Sequence, residues 1–217
     1  MMLYLANPAT GPVRDAMTRG QLATIITPRQ GNRLPAGALY AIDNGCGPGR
    51  DGQPGTGYPG NRAYLGLLSH MSAQSRRRCL FAVAPDVLGD AAATIERSAR
   101  FVYRIRASFG IPVALVAQDG LEHLGVPWHW LDVLFLGGST AWKLGPAARQ
   151  LTAEAKARGK RVHMGRVNSL KRLMYADAIG CDSADGTYLA HGPDANLPRL
   201  LAWLRAVNDQ EPLWRAA

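Results

Sequence analysis

Asp182 and Asp185 lie three apart in the stretch Gly180-Cys181-Asp182-Ser183-Ala184-Asp185-Gly186-Thr187-Tyr188-Leu189. It follows a helical pattern and reads as a strand stopped abruptly by Gly186. An acid at a strand end projects into a site with its backbone held rigid. Other polar residues follow apolar runs in the same way: Asn7, Asp43 with Asn44, Asp86, Gln118 with Asp119, Gly137-Gly138, and His163 with Gly165. Carboxylates accept from ring N–H and amino groups, a carboxamide serves a carbonyl, and glycine lets its N–H be approached closely. No lysine or arginine stands at these strand ends themselves, so the set suits a neutral, hydrogen-bond-rich ligand such as a purine. Taken singly, each has a plainer role open to it. An Asp after a strand forms turns or caps helices, Gly137-Gly138 can be a simple turn, and His163 can be a packed core histidine.

The elements that must position these residues are legible as short apolar runs. They are Leu3–Ala6, Leu22–Thr27, Ala38–Asp43, Leu80–Ala84, Val113–Ala117, Val133–Leu136, Arg161–Met164 and the stretch around Asp185. The first three are buried-type runs, apolar throughout rather than alternating, which is the pattern of parallel strands buried on both faces. Helical periodicity follows most of them. It runs from Arg62 to about Ser75, through Ile95, Ala99, Val102, Ile105 and Phe109 to Gly110, and through Leu144, Ala148, Leu151 and Ala155. Two more helices follow, one starting at Asn168 as N-cap and one carrying Leu197, Leu200, Leu201 and Leu204. Eight strands alternating with helices predict an α/β fold, a compact (β/α)8 TIM-type barrel with its site at the C-terminal strand ends. The chain is short for that fold, so the first two helices must be abbreviated. A doubly wound open sheet is the alternative.

A single domain spanning 1–217 is expected, interrupted by a Gly/Pro-rich loop at 46–61. That loop lacks the Gly-Lys-Ser/Thr of a P-loop. The composition is 47% hydrophobic and 19% charged, enough for a full core and unlike a disordered chain. No apolar run approaches the roughly 18 residues of a membrane span, and the N-terminus has no signal-peptide pattern. A soluble, cytoplasmic protein with no membrane partner is expected. Three scattered cysteines fit neither a disulfide framework nor a zinc site. No metal and no cofactor are expected. A net charge of +9 favours an anionic partner, with nucleic acid foremost.

The order and spacing of the strand-end residues resemble the tRNA-guanine transglycosylase superfamily, and most closely its phage DpdA-like 7-deazaguanine DNA transglycosylases. The resemblance runs over roughly residues 38 to 190. Ala41-Ile42-Asp43-Asn44-Gly45 resembles the family's Asp-Ser-Gly-Gly motif, and Ala84-Pro85-Asp86 its next Asp. Val116-Ala117-Gln118-Asp119-Gly120 is similar to Val-Gln-Gly-Gly, and Leu136-Gly137-Gly138-Ser139 to the Gly-Gly-Leu turn. His163-Met164-Gly165 resembles Met-Gly-Val-Gly. Gly180-Cys181-Asp182-Ser183-Ala184-Asp185 resembles Gly-Val-Asp-Met-Phe-Asp, whose last Asp is the nucleophile. The zinc subdomain of the tRNA enzymes has no counterpart, since no cysteine follows Asp185. That departure favours DNA over tRNA as the polymer.

The resemblance implies base exchange at C1′, with guanine or a 7-deazaguanine as the small-molecule substrate. Asp185 would be the nucleophile and Asp43 would handle protons. Asn44, Asp86, Gln118, Gly137, Gly138, His163, Gly165 and Asp182 would bind or frame the base. Within that set, Asp86 would accept from the base's N1–H and amino group, and Gln118 and the Gly138 N–H would bind its carbonyl. Asp182 either orients Asp185 or caps the strand end. Arg50, Arg62, Lys143, Arg166, Lys171 and Arg172 are expected to contact phosphates at the mouth, and the 46–61 loop to close over the base or follow the strand. If phage-encoded, the protein would work in the host cytoplasm. A tRNA enzyme, an N-glycoside hydrolase and a non-catalytic nucleic-acid-binding relative remain alternatives, as do a homodimer and a partner protein.

Overall fold

The computed structural model describes residues 1–30, 33–47 and 58–209. Eight short strands close into one parallel barrel in sequence order: β1 Leu3–Ala6, β2 Ala23–Ile26, β3 Tyr40–Ile42, β4 Cys79–Val83, β5 Val113–Ala117, β6 Val133–Leu136, β7 Arg161–Met164 and β8 Ser183–Asp185. The seam is β8 on β1, with Leu5 opposite Asp185. The expected (β/α)8 architecture is therefore the one observed, and the open sheet is excluded.

The helices are α1 Gly11–Thr18, α2 Asn61–His70, α3 Ala73–Arg76, α4 Ala91–Phe109, α5 Thr140–Lys143, α6 Pro146–Ala157, α7 Leu170–Ala178 and α8 Pro193–Asn208. Among the described residues no helix joins β2 to β3, so the abbreviation falls there and on the eight-residue α1. The single helix expected over Arg62–Ser75 is two. The backbone is extended at Met71, and Ser72 caps α3 by accepting from the Ser75 N–H. A serine hydroxyl that captures a nearby N–H offers the chain an alternative to continuing the helix. The α7 cap is Ser169 rather than Asn168, its hydroxyl accepting from the Arg172 N–H at 3.3 Å. None of the helices among the described residues is long and apolar enough to cross a membrane.

Side chains of alternate strand residues fill the barrel. Leu5, Ile25, Phe81, Val83, Val116 and Phe135 form its interior, with small Ala23, Ala41 and Ala114 between them. The complementary faces, such as Tyr4, Leu115, Leu134, Leu136 and Val162, pack outward under the helices. This filling makes the barrel a solid plug on which strand-end groups can be mounted without drift.

The N-terminal pole has its own repeated device. Asp132, just before β6, accepts from the Val113 N–H at 2.8 Å, and Asp182, just before β8, accepts from the Val162 N–H at 2.7 Å. Each also pairs with a helix cation, Arg106 at 3.0 Å and Lys156 at 2.7 Å. These acids tie neighbouring strand starts together.

Candidate active site

Because β8 begins only at Ser183, Asp182 and Asp185 sit at opposite poles of the barrel. Asp185 ends the strand at the mouth, with 16% of its side chain exposed. Its Oδ2 receives His163 Nε2 at 2.8 Å, and its Oδ1 accepts from the Arg166 backbone N–H at 3.2 Å. The carboxylate is thus held by the buried imidazole on one oxygen and by the backbone after β7 on the other, and stays partly exposed. The next turn is tied down as well. The Asp185 carbonyl accepts from the Val167 N–H, and the Val167 carbonyl from the buried Tyr4 hydroxyl at 2.9 Å. Burial, with the Asp185 charge adding to it, pushes the Tyr4 phenol up.

A second carboxylate, Asp86, is buried beyond β4 and cradled by two carboxamides. Asn44 Nδ2 donates to its Oδ1 at 2.9 Å and Gln118 Nε2 to its Oδ2 at 2.6 Å. The Gln118 carbonyl oxygen in turn accepts from the Gly89 N–H at 3.1 Å. Asp43, just past β3, accepts from the Gly45 N–H at 3.0 Å and is only partly exposed. Burial pushes its carboxyl up to about 7; the Gly45 bond opposes that rise, while the charges of Asp185 and Asp86 add to it. Asp43 can therefore hold or release a proton near neutrality, within the electrostatic reach of Asp185.

The turns after β6 and β7 are cross-stitched by two cations. Arg166 reaches back to the Gly137 carbonyl at 2.6 Å and to the Gly138 carbonyl, while Lys143 Nζ reaches forward to the Gly165 carbonyl. Lys143 is buried, and burial, with Arg166 nearby, lowers its ammonium to about 8. Gly165 lies against the barrel interior: a Cβ there would meet the Phe135 ring at 2.8 Å and approach Asp185 Oδ2 at 3.6 Å. Asp119 braces the same region by accepting from the Ser139 N–H at 2.5 Å and its hydroxyl at 2.6 Å.

Several sequence expectations change in this light. Asp182 is a strand-start tie and takes no part in the site. The Gly138 N–H is not free for a ligand carbonyl, because both it and the Gly137 N–H donate to the Ala117 carbonyl at 3.0 Å. Gln118 and Asn44 hold Asp86 instead of presenting their amides. His163 is fully buried beneath Asp185 and does not line the mouth. Lys143 is an internal tie instead of a surface cation, and Arg166 is committed to carbonyls though still exposed. Arg62, Lys171 and Arg172 stand in the first turns of α2 and α7, which descend from the mouth. Arg50 and positions 48–57 of the expected loop lie outside the described residues.

Sequence reasoning passed over Ser183, which accompanies His163 at 2.8 Å. Its signal was available: in a strand, residues two apart share a face, so Ser183 must point the way Asp185 does. No group of three or more His, Cys, Asp or Glu among the described residues could hold a metal ion. A groove on the barrel flank near Glu122, Trp128 and Glu154 lies away from Asp185. Its indoles and carboxylates satisfy one another, Trp128 on Glu154 at 2.9 Å and Trp142 on Glu122 at 2.8 Å.

No family model and no curated protein matches the chain. Solved structures do. The chain is similar to the native KDPGal structure at 12% identity, over 96% of this chain and 94% of that one, with a TM-score of 0.52. It is similar to a GH113 β-1,4-mannanase at 12% identity, over 94% and 98% of the two chains, again with a TM-score of 0.52. At such identities the likeness is one of fold, and TIM barrels host many unrelated chemistries.

Proposed function

We propose that the protein is an enzyme, a glycosyltransferase that exchanges guanine in DNA for a 7-deazaguanine derivative through a covalent Asp185 ester. One observation carries the reading: two carboxyl groups at one mouth are held in different ways. Asp185 accepts two hydrogen bonds and stays partly exposed at its strand end. Asp43 is pushed up to about 7 and can give or take a proton near neutrality. A nucleophilic carboxylate beside a proton-bearing one is what double displacement at a glycosidic carbon requires. The strand-end resemblance to the transglycosylases adds the base-exchange chemistry.

In the first step an Asp185 oxygen bonds to C1′ while the C1′–N9 bond breaks, with positive charge building on the sugar. The electron pair leaves on guanine, and Asp43 supplies its proton. In the second step the incoming base gives its ring N–H proton to Asp43 and bonds C1′ through that nitrogen. The ester C–O bond breaks and Asp185 is restored. Asp86, fixed by Asn44 and Gln118, is the acceptor this reading assigns to the N1–H and amino group of the base. The target nucleotide must leave the stack, which costs a few kcal/mol. Phosphate contacts from Arg62, Lys171 and Arg172 are suited to offset that cost.

The test is incubation with radiolabelled guanine and either duplex DNA or tRNA. Label entering DNA, lost in Asp185→Ala, supports the proposal. Label in tRNA alone overturns the DNA assignment, and guanine release without uptake makes the protein a hydrolase. Exchange that survives Asp185→Ala rejects the nucleophile.

A further inference from the structure

We propose that His163 and Ser183 are positioning residues that fix, from inside the barrel, both the proton and the aim of the Asp185 carboxylate. Only the kinetic arm of this inference rests on the base-exchange reading. In the β7–β8 register His163 lies opposite Ser183, and Asp185 is the next residue on that face. The imidazole is fully buried between Phe81 and Phe135, ring centroids 5.1 and 4.5 Å away. Its polar contacts are Nδ1 with Ser183 Oγ and Nε2 with Asp185 Oδ2, both 2.8 Å.

These contacts leave the neutral ring one arrangement of hydrogens. A carboxylate only accepts, so the hydrogen must sit on Nε2. The bare Nδ1 then needs a donor, and the Ser183 hydroxyl is beside it. Ser183 selects the tautomer, the two phenyl rings hold the plane, and the Nε2–H pins Oδ2. The other tautomer would set a bare nitrogen on a fully buried ring against a carboxylate. A histidine kept only for packing needs neither hydrogen bond, and a phenylalanine would pack between those rings as well.

Three variants separate positioning from packing. His163→Phe keeps a ring and removes the donor, His163→Gln carries an amide N–H to about the Nε2 position, and Ser183→Ala frees the tautomer. The first should lower kcat roughly 100-fold with little change in KM, as for loss of one fixed donor. The second should recover about tenfold of that loss. Ser183→Ala should lower kcat about tenfold in the wild-type background and not at all on top of His163→Gln, where no tautomer is left to choose. Equal losses in both backgrounds, or full kcat in His163→Phe, overturn the inference. Nitrogen NMR of 15N-histidine-labelled protein reads the same point without activity or substrate. One neutral Nε2–H species is expected, becoming a tautomer mixture in Ser183→Ala. An imidazolium or an Nδ1–H ring at neutral pH overturns the inference. If the wild-type protein exchanges no base, the proposed function fails while the NMR result still decides the role of His163.

Discussion

Arg166 donates its backbone N–H to Asp185 Oδ1 from a left-handed conformation, φ 62, that no other non-glycine residue adopts among those described. The conformation costs about 1–2 kcal/mol for a residue with a Cβ. Strain of this kind persists only where the surroundings over-determine it. Here the guanidinium does so by bonding the Gly137 and Gly138 carbonyls. Arg166→Gly should therefore keep the N–H on Asp185 and shed the strain, while Arg166→Ala keeps the strain and loses the anchor. Urea unfolding should place Arg166→Ala about 1 kcal/mol below Arg166→Gly, and Arg166→Gly should retain more of the wild-type exchange rate. Equal stabilities would mean that the backbone is relaxed at this position.

Asp43 gives the protein a pH signature whose sign is fixed by its raised value. Burial pushes its carboxyl up to about 7 in the folded protein, from an ordinary value of 3.8. Between these values the folded state holds the proton that the unfolded state has released, so stability falls as pH rises from about 4 to 7 and then levels off. Because the side chain is partly open to solvent, the loss should be about 2 kcal/mol, below the full linkage value. Asp43→Asn should flatten this slope in denaturant titrations. In single-turnover base release, which consumes the Asp43 proton, the rate should fall above pH 7 with an apparent pKa of about 7. A rate that is flat from pH 6 to 9 would remove Asp43 from the acid role.

Much of the frame was legible in the residues, for physical reasons that also explain the failures. β5, β6 and β7 have the bounds expected from Val113–Ala117, Val133–Leu136 and Arg161–Met164. Uninterrupted apolar runs leave β5 and β6 little freedom, and β7, which alternates Arg161 and His163 with Val162 and Met164, is bounded by Gly159 and Gly165. α1 is expected only as an abbreviated helix without bounds, although Val13, Ala16 and Met17, its buried face, have the i, i+3, i+4 spacing of a helix. The pole on which Asp182 lies depends on where β8 begins, and a three-residue strand flanked by polar residues gives no local signal for its start. The burial of Lys143 is a tertiary fact, set by the short α5 folding its side chain under the β7 turn. The same limit hid the commitment of Gln118, Asn44 and the Gly138 N–H to other protein groups.

Gly186 follows Asp185 where three groups crowd the backbone. A Cβ would come within 2.5 Å of both the Tyr4 hydroxyl and the Val167 carbonyl, and closer still to Asn168 Oδ1. Of these, the Tyr4 hydroxyl and the Val167 carbonyl share the hydrogen bond that braces the turn beside Asp185. Gly186→Ala should therefore destabilise by about 1–3 kcal/mol through overpacking, and should lower kcat beyond what the stability loss explains, because Asp185 moves with the turn. A Tyr4→Phe partner removes the hydroxyl in the way and should recover part of the stability. Failure of that rescue would point to the Val167 carbonyl as the dominant clash.

The two acids that open the sequence argument can be told apart by experiment, because they sit at opposite ends of one short strand. Asp182 is about a third exposed, its ion pair with Lys156 counts for at most about 1 kcal/mol, and its larger contribution is the acceptor it offers the Val162 N–H. Asp182→Ala should lower stability by about 1–2 kcal/mol in urea unfolding, with kcat and KM unchanged at temperatures where the protein stays folded. Asp182→Asn, which keeps an acceptor oxygen, should lose less. Asp185→Asn should behave in the opposite way: a fold close to wild type, because the amide oxygen can still take the His163 or Arg166 N–H, and no trapped glycosyl ester. If Asp182→Ala abolished exchange in a folded protein, the barrel's N-terminal pole would have to communicate with the mouth, and the assignment of the chemistry to the C-terminal strand ends would fall with it.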